Sequence, residues 1–122
     1  MESDRITVGD LERRWEKALS ATQTAVRRQP EAYHRLKALT GEIVSGPLDI
    51  RDYLPTVRKM ISLLRALDPH GGESIFHYFE NRISPADVWQ VNLFRMECTD
   101  LLAHLKAFDD WRIKNRRLKI VK

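Results

Sequence analysis

Three groups of acids and histidines in this 122-residue chain have spacings that metal chemistry uses. Glu31-Ala32-Tyr33-His34 has the Glu-x-x-His step of di-iron helical bundles, in which both side chains project from one helix face. Such a site needs two copies and two further carboxylates. The nearest counterpart, His77-Tyr78-Phe79-Glu80, runs in reverse order, and Glu73 lies four residues before His77. Glu97, Asp100 and His104 would share one face of a helix. Acids and histidines three or four apart are more often ordinary surface pairs, so no metal or cofactor is expected.

Nucleophilic chemistry finds less support. Cys98, the one cysteine, falls in an apolar helical stripe and reads as a small buried hydrophobe. A catalytic thiol would want cations nearby, whereas Glu97 and Asp100 are acids. Gly71-Gly72 lacks the spacing and the following Lys-Ser or Lys-Thr of a phosphate loop. No carboxylate pair lies in an apolar stretch that would raise its pKa. His70, in Pro69-His70-Gly71-Gly72, could serve a pH-sensitive loop, but the string reads first as a turn. No catalytic residue is assigned, and the chain is expected not to be an enzyme.

The distinctive chemistry is at the carboxyl end. From Trp111 to Lys122, six of twelve residues are basic and none is acidic. The whole chain carries +4, with 21 Lys plus Arg against 17 Asp plus Glu; outside this stretch 15 basic residues face 17 acidic ones. The body is thus slightly acidic and the end strongly basic. Cations at a helix C-terminus complement the macrodipole, which accounts for two or three of them but hardly six. Contact with nucleic-acid phosphates is the leading expectation, through Arg112, Lys114, Arg116, Arg117 and Lys119, with Trp111 as a platform for base stacking. An acidic protein surface is the rival partner. A membrane-surface helix fits poorly, because Trp111, Ile113, Leu118, Ile120 and Val121 scatter around a helix instead of sharing a face.

Other cations support a polyanion surface weakly. Arg13, Arg14 and Lys17 alternate with Glu12 and Glu16, and Arg27 and Arg28 follow. Arg58, Lys59 and Arg65 form no stripe. A helix-turn-helix is unpromising, since the segment that would read bases is short, aromatic and carries only Arg82. Non-specific backbone contact is the expected mode.

Five prolines and five glycines divide the chain into segments of helical period, and these must position the groups above. Thr7-Val8-Gly9-Asp10 is a capping signal before Leu11, Trp15, Ala18, Leu19, Thr22 and Val26. Pro30 stops that helix or starts the next, whose stripe is Tyr33, Leu36, Leu39, Ile43 and Val44, ended by Gly46-Pro47. Asp49-Ile50-Arg51-Asp52 repeats the capping pattern and leads through Pro55 to Val57, Met60, Ile61, Leu64 and Leu67. After the Asp68–Gly72 loop, a short helix carries Ile75, Phe76, Phe79 and Ile83. Ser84-Pro85-Ala86-Asp87 then opens the longest helix, with Val91, Phe94, Cys98, Leu101, Leu105 and Phe108 at heptad spacing.

These patterns predict an all-α bundle of four to five helices with a long C-terminal helix and a basic tail. One domain is expected over 1–122, with a core over about 7–111 and the tail at 112–122. From Pro85 to about Trp111 the last helix would span roughly 40 Å, more than the body it packs on, so one end should overhang or pair in a homodimer. Leu118-Lys119-Ile120 alternates as a strand does, and the last residues are expected to be extended until bound. The opening Met1-Glu2-Ser3-Asp4-Arg5 has no signal-peptide character, and no apolar run is long enough to cross a membrane, which suggests a cytoplasmic protein. Two functions fit: a nucleic-acid-binding protein, as a subunit of a nucleoprotein complex would be, and a regulatory adaptor or inhibitor acting through a helical surface. For the second, Trp89, beside the heptad seam yet off it, is the candidate partner anchor.

Overall fold

The Thr7-to-Asp10 step is a reciprocal capping box. In the computed structural model, which describes residues 7–49, 51–83 and 90–120 and side chains through Asn115, the Thr7 hydroxyl accepts from the Asp10 amide and the Asp10 carboxylate accepts from the Thr7 amide. Two donors of the first turn are thereby satisfied, and α1 (Val8–Arg28) begins. One residue separates it from α2 (Pro30–Ser45), where Pro30 takes the first helical turn, a position that needs no donor. The proline therefore both stops one helix and starts the next.

Helix α3 (Tyr53–Leu67) begins before Pro55, which sits in its first turn. The expected capping through Asp49–Asp52 is only half right. Asp52 is the capping residue but its side chain makes no cap hydrogen bond; Asp49 instead accepts from the Arg51 amide at 3.0 Å, a local turn before the helix. The Asp68–Gly72 loop is drawn together by the Asp68 carboxylate, which accepts from the Gly72 amide at 3.0 Å and from the Ser74 hydroxyl at 2.5 Å. Gly71 supplies the loop's left-handed residue, with φ of 65°. Ser74 then caps α4 (Ile75–Arg82) by accepting from the His77 amide.

The last helix, α5, runs Val91–Ile120, about 45 Å at 1.5 Å per residue. Its predicted start at Ser84-Pro85-Ala86-Asp87 and the candidate anchor Trp89 lie outside the described residues. Its end corrects the expectation of an extended tail: the backbone stays helical to Ile120. No Pro or Gly interrupts 91–120, and Arg, Lys and Leu are strong helix formers, which outweighs a three-residue alternation. Among the described side chains, Phe108 is the last that is fully buried; Trp111 and Arg112 are half-buried and Ile113 and Lys114 exposed.

All five helices contribute to the core, α1 through Leu19, Ala25 and Val26. Helix α2 runs antiparallel to α5, with Tyr33 opposite Asp109 at one end and the Gly46 carbonyl opposite Arg95 at the other. Phe94, Cys98, Leu101, Leu105 and Phe108 are all fully buried within the one chain, joined by Ile75, Phe76, Phe79 and Ile83. The heptad seam is consequently the core of the monomer. A homodimer using that seam would have to withdraw those side chains from it.

Thr22 joins α1 to α4. Wholly buried, its hydroxyl donates to the Ala18 carbonyl at 2.7 Å and accepts from the Ile75 amide at 3.0 Å. That amide, the first of α4, has no acceptor within its own helix. The upper end of the same α1 stripe is different: Leu11 and Trp15 are 54% and 37% exposed. Period 3.6 identified the face correctly, but this part of it borders an open groove with Ile75, Tyr78 and His104 instead of packing into the core.

Candidate nucleic-acid interface

Helices α1 and α5 run in the same direction. Trp15 meets His104 edge to face, with ring centroids 5.7 Å apart, and further along the Trp111 indole donates to Glu16. Their carboxyl ends therefore come to the same corner of the bundle, beside the start of α2. That geometry brings Arg27, near the end of α1, to the same recess as Arg112 of α5, with Lys114 two residues further along, whereas Arg28 lines a different recess with Asp68, His70 and Glu73. Between the helices lies a recess of about 460 Å³ lined by Ser20, Gln23, Thr24, Arg27, Trp111, Arg112 and Asn115. Two guanidiniums border it and no carboxylate lines it. Arg27 and Lys114 are exposed, and α5 continues about 7 Å past Asn115 to Ile120.

The predicted site residues are not equivalent. Arg112 is a structural clamp as much as a surface cation. It stands 3.6 Å from Asp109 and lies over the rings of Phe108 and Tyr33, at 5.3 and 5.9 Å. Asp109 is the centre of a network that sequence reasoning missed: the Tyr33 hydroxyl donates to it at 2.8 Å and Lys37 at 2.7 Å. Burial first, then the Asp109 carboxylate, pushes the Tyr33 hydroxyl well above its ordinary range and keeps it a donor. The Asp109-to-Arg112 spacing of three was the available signal for that pairing.

Trp111 is half-buried and not a free surface platform. One face is stacked near Phe108, with centroids 6.1 Å apart and planes 25° apart. Its Nε1 donates to Glu16 at 3.3 Å. The indole nonetheless lines the recess, held in a fixed pose. Gln23 contributes a carboxamide oxygen that is buried without a hydrogen-bond partner among the described residues. Arg116, Arg117 and Lys119 fall on the helical end of α5, beyond the residues whose side chains are described.

Elsewhere the metal-like spacings are occupied by cations. Glu97 and Asp100 receive Arg82, at 2.8 and 3.6 Å, and His104 lies 3.5 Å from Asp100. Glu80 accepts from Arg65 at 2.6 Å, and Glu73 pairs with Lys17. Glu31 and His34 are exposed on α2. Among the described residues, no group of three or more His, Cys, Asp or Glu is arranged to hold a metal ion. Cys98 is fully buried, and burial, followed by Glu97, pushes its thiol up to about 12. No helix among the described residues is long and apolar enough to cross a membrane. Comparison with known protein families, curated proteins and solved structures found no match for this chain.

Proposed function

We propose that this chain is a small, non-enzymatic helical binding protein that contacts the phosphate backbone of nucleic acid through the corner where α1 and α5 end. The observation that carries the reading is the parallel course of those helices, which adds Arg27 to the cations of the basic end. Phosphate contact needs several Lys and Arg within reach of one strand, and each neutralised phosphate releases condensed counterions. Lys114, Arg116, Arg117 and Lys119 supply backbone contacts, together with Arg27. Arg112 anchors the helix that carries them. A role within a larger nucleoprotein complex suits a chain of this size.

Affinity for a generic oligonucleotide, measured by fluorescence anisotropy across 50–300 mM salt, tests the proposal. The slope of log affinity against log salt falls by about 1 to 2 on replacing Arg116 and Arg117 by Ala, and by up to about 1 on Arg27→Ala. Undetectable binding at low salt, or a flat slope, would overturn it.

A regulatory adaptor is the second reading, favoured by the exposed upper stripe of α1. Leu11 and Trp15, with Tyr78 of α4 at 48% exposure, border a groove that also takes in Ala18, Ile75 and His104. Arg14 and Glu73 both border the groove, so its apolar floor is flanked by charge of either sign, and the apolar face of an amphipathic helix with mixed flanks fits it. A purified partner retained by a chain lacking residues 114–122, but lost on Leu11→Glu, would favour this reading over the first.

A further inference from the structure

We infer that the recess between α1 and α5 receives one unpaired nucleotide, so that the protein prefers single-stranded nucleic acid to a bare polyanion. The inference rests on the phosphate-binding reading and goes on to name what the recess adds to it. Its volume of about 460 Å³ falls within the range that encloses small ligands. Its lining also has the three chemistries a nucleotide presents. Arg27 and Arg112 border it as phosphate donors. The Trp111 indole lines it as a stacking surface, and stacking on an aromatic ring tolerates any base. Gln23 and Asn115 are carboxamides, which both donate to and accept from base edges.

Preorganisation strengthens the assignment. Phe108 supports one side of the indole and Glu16 holds its edge, so the platform loses little freedom when a base arrives. Arg112 is likewise fixed by Asp109. Duplex bases, already paired and stacked, would have to be unpaired to enter. A single strand offers them without that cost.

An eight-nucleotide thymidine strand and an abasic phosphodiester strand of the same length separate base from backbone. The full chain should bind the thymidine strand about ten-fold or more tightly than the abasic one, with quenching of tryptophan fluorescence that is lost in Trp111→Leu. Thr24→Tyr, which fills the recess from an exposed position, should bring affinity for the two strands together and remove the ten-fold preference. Equal affinity for the two strands, with a steep salt slope retained, overturns the recess and keeps the phosphate contact. Failure to bind either strand at low salt overturns both. A preference that persists in Thr24→Tyr shows that the base is read elsewhere and also overturns the recess.

Discussion

Replacing Thr22 by valine should destabilise the fold far more than the same exchange at Thr40. Both threonines are fully buried and both hydroxyls donate to the carbonyl four residues back, at 2.7 Å for Thr22 and 2.6 Å for Thr40. Loss of that donation is inexpensive in each case, because a helical carbonyl keeps its bond from the i+4 amide. Valine matches threonine in shape, and the two residues have similar helix propensities. The difference is the second bond of Thr22, accepted from the Ile75 amide at 3.0 Å. Without it that buried N–H, first in α4, has no acceptor, which costs about 1 to 3 kcal/mol. For a domain of this size that corresponds to a melting temperature lower by roughly 4 to 12 °C. Thr40→Val should stay within about 0.5 kcal/mol of the parent. Urea unfolding at constant m measures both, and hydrogen exchange at Ile75 locates the loss. Equal stability of the two variants would refute the claim that Thr22 serves as the cap of α4.

Other outcomes follow from single residues. Burial works to raise the Asp68 carboxyl, but the Ser74 hydroxyl, the Gly72 amide and nearby His77 outweigh it and hold it below its ordinary 3.8. Its contribution is therefore present above that value and lost as pH falls through the lowered one; acid titration of stability should show a shallower decline below pH 4 in Asp68→Asn. With its thiol buried and pushed up to about 12, Cys98 should react with a thiol reagent at neutral pH only as fast as the chain opens, so labelling and unfolding rates should rise together in denaturant. Gly71→Ala should cost about 1 to 2 kcal/mol, because φ is 65° and the new methyl would lie 3.3 Å from the His77 ring; a neutral result in thermal unfolding would contradict the left-handed turn.

The fold was largely legible in the sequence because its strongest signals are local and periodic. The heptad run from Phe94 to Phe108 is buried at each of its positions, and Thr7 and Pro30 act at the helix starts that their chemistry predicts. What failed depends on distances along no single helix. Nothing in residues 7–18 says that Leu11 will border an open groove with Tyr78 and His104 instead of packing into the core. Nothing around Thr22 says that an amide 53 positions away will need its oxygen. Of the predicted site, Lys114 is an exposed cation, whereas Arg112 and Trp111 are partly occupied by Asp109, Phe108 and Glu16. Arg27 entered through the parallel packing of α1 on α5, which composition does not encode.

That packing also bears on the plainest account of the cations, that they balance helix dipoles. Each helix end carries about half a charge, so the carboxyl ends of α1 and α5 together present roughly −1. The start of α2 at the same corner returns about half of that with opposite sign. Asp109 is shared between Lys37 and Arg112, and Glu31 is the acid in α2's first turn. Asp110 is a further exposed acid, four residues before Lys114. Against these stand Arg27, Lys114, Arg116, Arg117 and Lys119, five basic residues on two adjoining helices. The net dipole of about −0.5 accounts for at most one of them. Arg116 and Arg117 follow Arg112 and Lys114 at steps of four and three, a spacing at which like charges on a helix are mildly destabilising, so repulsion among them is expected. An anionic strand relieves that repulsion on binding, and its removal by Arg116→Ala with Arg117→Ala should therefore raise the free protein's thermal stability at low salt while weakening oligonucleotide binding. Opposite signs for the two effects are required; a double variant that loses both stability and binding would assign these arginines to the fold.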